Sequence, residues 1–204
     1  MNSLLSKYDF FIFDLDDTLY PEIKYLDEAY KNISEFLAKK TKKKSFRIHK
    51  YLIDSFKETG RSKLFDNMFN FFGIDTKFLE SILEIMRTYE ANTKISLYSN
   101  MYTLLPIIIN SSKKVFIVTN GNVIQQKNKV NNIEWKSLEN ELVFIYANEF
   151  KKKPSNRSFQ YIKKIYTIKE DLTLMVGDSI FDKEYAENCK IDFMFIEEFN
   201  AIKN

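Results

Sequence analysis

Four groups of residues in this chain could do chemistry together. Asp14 and Asp16 lie in "DLDDT" (14–18), and Thr119, Asn120 and Gly121 close "VTNG" (118–121). Lys153 opens "KPS" (153–155), while Gly177, Asp178, Ser179 and Asp182 fall in "GDSIFD" (177–182). Carboxylate oxygens are hard ligands suited to Mg²⁺, which keeps waters and bridges protein to phosphate. A cation also offsets the repulsion between acids crowded into one site. A threonine hydroxyl, a lysine ammonium and backbone N–H groups can hold the oxygens of a phosphoryl group. Transfer of that group requires chiefly positioning and charge neutralisation. One aspartate can act as nucleophile through an aspartyl-phosphate while a second carboxylate handles the proton.

Residues so far apart in sequence need rigid elements to bring them together. Phe10-Phe11-Ile12-Phe13, just before Asp14, has no polar alternation and reads as a strand buried on both faces. Four further runs share that character: 115–118, 142–146, 172–176 and 193–196. They suit the interior strands of a parallel sheet covered by helices. Residues 155–167 place Phe159, Ile162, Ile165 and Tyr166 on one helical stripe, with Ser155 as N-cap, and 180–189 form a second helical candidate. The alternation of strand and helix from about 100 onward predicts an α/β fold with right-handed crossovers. Ligands of such sheets bind at the carboxyl ends of the strands, and three of the four polar groups follow an apolar run there.

Between 22 and 95 the rhythm changes. Ile23, Leu26, Tyr30, Ile33 and Leu37 recur at helical intervals, as do Phe78, Ile82, Ile85, Met86 and Tyr89, with Asp75 able to cap the latter. The expected organisation is an α/β core of residues 1–20 and 96–204 interrupted by a helical subdomain of residues 21–95.

Composition narrows the function classes. The apolar fraction of 45% and aromatic fraction of 16% support a packed core, not a disordered chain. The 31 basic residues are nearly matched by 28 acids, a net charge of +3, which argues against wholesale nucleic-acid binding. A single cysteine, Cys189, excludes an intramolecular disulfide framework and is expected to pack as a small apolar residue. No run approaches the ~20 apolar residues of a membrane span, and no signal peptide is recognisable. A cytoplasmic protein with no membrane partner is the expectation.

The four motifs, in this order, resemble those of the haloacid dehalogenase-like hydrolases, over essentially the whole chain. The resemblance implies a Rossmann-like doubly wound parallel sheet with the helical insertion as a type 1 cap that closes on substrate. It implies that Asp14 attacks phosphorus and that Asp16 protonates the leaving alcohol and then activates water. Thr119 would bind a phosphoryl oxygen, and Asn120 would lie in the same substrate-binding loop. Lys153 would stabilise the nucleophile and the charged intermediate. The Mg²⁺ site would comprise the Asp14 carboxylate, the Asp16 backbone carbonyl and Asp178, with Asp182 supporting it directly or through water. Dehalogenases of this superfamily use neither phosphate nor metal and lack an acid equivalent to Asp16, so its presence favours phosphate esters. The implied activity is a Mg²⁺-dependent phosphatase of a small metabolite, a nucleoside monophosphate or a sugar phosphate. A phosphomutase of the same superfamily is the nearest alternative. A receiver-like signalling protein is another, although receivers carry no helical insertion after the first strand.

Other polar features read as structural. Asp17 has no part in this chemistry and suits a turn. The basic run "KKTKKKSFRIHK" (39–50) reads as a solvated helix end, with His49 inside it, though its charge could steer anionic substrates. Trp135 belongs to the core. The substrate and the oligomeric state, monomer or dimer, are not encoded in any readable motif.

Overall fold

The structure, a computed structural model, describes residues 1–91, 93–111 and 113–202. The chain forms α1 (Asn2–Lys7), β1 (Phe10–Phe13), α2 (Ile23–Thr41), α3 (Ser45–Thr59), α4 (Leu64–Phe72), α5 (Leu79–Thr88), β2 (Ile95–Ser96) and α6 (Met101–Asn110). There follow β3 (Lys114–Thr119), α7 (Val123–Asn132), β4 (Ile133–Glu134), β5 (Leu142–Tyr146), α8 (Arg157–Tyr166), β6 (Thr173–Gly177), α9 (Ile180–Cys189), β7 (Asp192–Phe195) and α10 (Ile196–Ala201). Two compact units result. One comprises Met1–Pro21, Lys94–Gln126 and Ile133–Asn204; the other comprises Glu22–Thr93 and Lys127–Asn132.

The first unit is built on a parallel five-stranded sheet in the order β5-β3-β1-β6-β7. β1 lies at its centre, with Phe13 opposite Ile117 of β3 and Val176 of β6. Phe11, Ile12 and Phe13 are fully buried, as the unbroken apolar run requires of a strand covered on both faces. On one face Ile12, Phe116, Val118, Ile145 and Met175 pack with Phe159 and Ile162 of α8 and Tyr185, Ala186 and Cys189 of α9. On the other, Phe13 meets Phe199 of α10 edge to face at 5.4 Å. Each buried Ile, Val, Phe or Met among them contributes roughly 1.5–3 kcal/mol by leaving water.

All five apolar runs form strands, but not all are interior. β5 and β7 occupy the edges, and several of their residues are only half buried. Leu172 closes a single 3₁₀ turn, so that strand begins at Thr173. Ile196 opens α10, because Glu198 accepts from the Phe195 N–H at 3.1 Å and two acids occupy its first turn. Ser155 is not the cap of α8. It lies in the preceding turn, Asn156 takes the N-cap position, and Ile165 faces outward at 51% exposure. Two two-residue strands, β2 and β4, pair in parallel with Ile95 opposite Ile133, a feature too short for any periodicity to announce.

In the second unit α2 packs on α3 and α5, and Tyr30 meets the rings of Phe56 and Phe65 edge to face. Leu26, Tyr30, Ile33 and Leu37 are buried as the stripe predicts, and Asp75 accepts from the Lys77 N–H at 2.9 Å to cap the short turn before α5. The segment Lys127–Asn132, which the sequence reading leaves with the sheet, belongs to this unit. Lys129 is completely buried there, paired with Glu22, and Asn128 donates to the Tyr89 carbonyl at 3.2 Å. Lys42, Lys43 and Lys44 of the basic run are exposed in the turn between α2 and α3, and His49 pairs with Asp27 at 2.9 Å. Among the described residues no helix is long and apolar enough to cross a membrane.

Candidate active site

Asp14 is the first residue beyond β1, and its N–H continues the ladder to the Val176 carbonyl at 3.0 Å. Thr119 is the last residue of β3 and Gly177 the last of β6, so the strands flanking β1 deliver their polar ends to its two sides. The chain runs from β1 outward through β3 to β5, then returns to the opposite side for β6 and β7. The site therefore lies at the switch point of the topology, where open parallel sheets leave a crevice.

Lys153 stands at the heart of the cluster. Its Nζ donates to Asp14 Oδ1 at 2.5 Å, Asp182 Oδ1 at 2.6 Å and the Val118 carbonyl at 2.8 Å, which uses all three of its protons. The loop that carries it is clasped by Asn120, whose Oδ1 accepts from the Lys153 N–H at 2.7 Å and whose Nδ2 donates to the Lys153 carbonyl at 3.1 Å. That clasp is what the Asn120 side chain does in this structure. Asp182 uses its other oxygen to accept from the Ser179 hydroxyl at 2.6 Å and from the Ser179 N–H at 3.2 Å. The latter, with the Asp182 N–H on Ser179 Oγ, makes a capping box at the start of α9. Helix capping and lysine anchoring thus meet in one carboxylate.

Gly177 is required by this packing. A Cβ at that position would lie 2.5 Å from the Asp182 Cβ, so only glycine lets β6 pass so close to α9. Beyond it, Asp178 sits at the open edge and accepts from the Thr18 hydroxyl at 3.2 Å. Asp14, Asp178 and Asp182 each offer a carboxylate oxygen within 4.8 Å of the others. Burial pushes the Asp14 carboxyl up to about 8, against the pull of Lys153 and with help from Asp182 and Asp16. Asp178 is pushed up to about 6, by desolvation first and by Asp182 second. Three carboxyl groups cluster where a single ammonium binds two of them, and their hard oxygen donors fit a divalent cation such as Mg²⁺.

Asp16 stands apart from those three. Its Oδ1 accepts from the Tyr20 hydroxyl at 2.6 Å and its Oδ2 from the Gln126 amide at 3.1 Å. Gln126 also donates to the Thr119 hydroxyl at 2.6 Å. Asp17 is exposed, with φ at 55°, in a tight turn closed by its N–H on the Tyr20 carbonyl at 2.9 Å. Aspartate tolerates that left-handed conformation, so the third acid of the motif is a turn residue. Thr18, Tyr20 and Gln126 are the members of the site that the sequence reading did not single out. Thr18 and Tyr20 stand beside the acids in "DLDDTLY", while Gln126 lies in the first turn of α7, five residues past Gly121.

The expectations for Cys189 and Trp135 hold. Cys189 is buried among the core residues, which pushes its thiol up to about 12, and Trp135 packs edge to face on Phe144 at 5.3 Å.

The sequence model described as haloacid dehalogenase-like hydrolase matches residues 11–196, a span that holds every residue of the cluster, and the chain belongs to that family. No curated protein matches the sequence. Solved structures share the fold at low identity. The HAD-hydrolase YfnB from Bacillus subtilis, solved bound to magnesium, aligns with a TM-score of 0.64 at 17% identity, covering 92% of this chain and 86% of that one. A haloacid dehalogenase-like hydrolase from Bacteroides fragilis aligns at 0.62 and 17% identity, over 96% and 93%. The L-2-haloacid dehalogenase of Xanthobacter autotrophicus aligns at 0.55 and 14% identity, over 91% and 76%.

Proposed function

We propose that this chain is a Mg²⁺-dependent phosphomonoester hydrolase acting on a small phosphorylated metabolite, such as a nucleoside monophosphate or a sugar phosphate. What favours this reading most is the second acid. Asp16 stands beside the Asp14 cluster with both carboxyl oxygens held by donors, at the position where the resembling dehalogenases have no acid. The magnesium in the YfnB structure supports the cation, as does the cluster of carboxyl oxygens from Asp14, Asp178 and Asp182.

Asp14, Asp178 and the Asp16 backbone carbonyl hold Mg²⁺ in this reading, and Asp182 supports the site. When bound, the cation neutralises charge on Asp14 and on the phosphoryl oxygens. Asp14 attacks phosphorus, an Asp14 O–P bond forms and the ester P–O bond breaks. Asp16 gives its proton to the departing alkoxide oxygen. In the second half Asp16 takes a proton from water, the water oxygen bonds to phosphorus and the Asp14 O–P bond breaks. Both carboxyls return to their starting states. Lys153 favours the ionised form of Asp14 against the burial that raises its carboxyl, while Thr119 donates to a phosphoryl oxygen.

The test is phosphate release from a panel of nucleoside monophosphates and sugar phosphates, with and without Mg²⁺, alongside chloride release from a 2-chloroacid. Phosphate from at least one ester, abolished by chelation, is expected, with no chloride. Halide release without metal, or no phosphate from any ester, would overturn the reading.

A further inference from the structure

Building on the phosphatase reading, we propose that Gln126 is a positioning residue. Its side-chain amide, together with the Tyr20 hydroxyl, clamps the Asp16 carboxyl and turns the Thr119 hydroxyl toward the phosphoryl group. Gln126 is buried to 1% exposure, on the first turn of α7, where its own N–H bonds the Asn122 carbonyl at 2.9 Å. Its Nε2 carries two protons and no lone pair, so it serves Thr119 Oγ1 at 2.6 Å and Asp16 Oδ2 at 3.1 Å as donor to both.

Two consequences follow from that direction of bonding. Thr119, accepting from the amide, must send its own proton elsewhere. Its other hydrogen-bond contact among the described residues, the Asn120 carbonyl, is distant at 3.4 Å, so the hydroxyl remains a donor for an incoming phosphoryl oxygen. Asp16, held at Oδ1 by Tyr20 at 2.6 Å and at Oδ2 by the amide, has the plane of its carboxyl fixed from both sides.

The fold reserves space for this amide. Gly121 has φ at +131°, and a Cβ there would lie 3.1 Å from both Cδ and Oε1 of Gln126. The Oε1 atom is buried with no hydrogen-bond partner among the described residues. Reversing the amide would take both donors away from Asp16 Oδ2 and Thr119 Oγ1. The orientation is set by Asp16 and Thr119.

A change of leaving group separates this role from a structural one. An alkyl phosphate needs the Asp16 proton to release its alkoxide, whereas para-nitrophenyl phosphate releases a stable phenolate without it. In Mg²⁺, Gln126→Met, equal in length but without donors, is expected to lower kcat/KM for the alkyl ester roughly 10- to 100-fold, part of the ~10²–10⁴ that general acid catalysis supplies. The fall for the aryl ester should be several-fold smaller. Tyr20→Phe, acting on the other oxygen and leaving α7 untouched, should show the same leaving-group dependence. It also carries the test if the Met variant does not fold. Equal losses on the two esters, or activity within about twofold of wild type on the alkyl ester, would overturn the proposal. The alkyl ester is whichever panel ester the wild type hydrolyses, and a wild type that releases phosphate from no ester of the panel would instead overturn the phosphatase reading on which the proposal builds.

Discussion

Asp14 and Asp178 both have carboxyls pushed above the ordinary 3.8, to about 8 and about 6. Without a cation, the folded chain therefore retains protons that the unfolded chain releases. By linkage, stability from such a group is full below the unfolded value and is lost as pH rises through the folded one. For Asp178 the loss spans 3.8 to about 6, and for Asp14 it extends to about 8. In chelator, Asp178→Asn should unfold at increasingly higher temperature than wild type as pH rises across the Asp178 window. Saturating Mg²⁺ should shrink that advantage, since the cation rewards the lost carboxylate. Thermal scans of both proteins across this range check it, and a difference independent of pH would contradict it. At this scale the sequence is most legible where a polar residue directly follows an apolar strand: Asp14, Thr119 and Asp178 all announce themselves so. Gln126 and Tyr20 do not. A glutamine in the polar helix "VIQQKNKVNN" looks solvent-facing until the fold turns it inward, and a tyrosine hydroxyl is assigned only when its partner is known.

The elements follow hydrophobic pattern closely where apolar runs are long. β1 and β3 are buried as the sequence implies, and the stripes of α2 and α5 face inward at Leu26, Tyr30, Ile33, Ile82 and Met86. Legibility fails where a boundary is decided by one hydrogen bond, as at Ile196, or where two residues make a strand, as in β2 and β4. It fails most instructively at Lys129. By composition this residue belongs on a solvated helix face, yet it is fully buried against Glu22, with its ammonium 5.4 Å from the Tyr25 ring centre. Glu22 is also paired with Arg61. Removing one partner of a buried pair typically costs about 3–5 kcal/mol, because the other charge is left uncompensated. Lys129→Met should destabilise the chain by about 3 kcal/mol, near the low end because Arg61 still faces Glu22. Adding Glu22→Gln to that variant should recover much of the loss. Denaturant unfolding of the two variants measures both effects. A single variant as stable as wild type would show that the pair contributes nothing.

At the scale of the whole molecule, a parallel sheet converts distance in sequence into proximity at one rim. Residues 14, 119 and 178 meet because β3 and β6 flank β1 in register, and Lys153 joins them from the loop after β5 through the Asn120 clasp. The order of motifs along the chain carried this arrangement, since three of them end strands of one sheet. The detailed wiring did not follow from order: Lys153 spending its protons on Asp14, Asp182 and Val118, and Asp182 doubling as a helix cap, emerge only from packing. In the proposed reading all of it converges on Asp14 as the residue that takes the phosphoryl group. The most direct measurement is Mg²⁺-dependent phosphate release by Asp14→Asn, on whichever ester the wild type hydrolyses. The same thermal unfolding profile, with turnover reduced on the order of 10³-fold or more, is the predicted result. Turnover close to wild type in a folded Asp14→Asn protein would contradict the account.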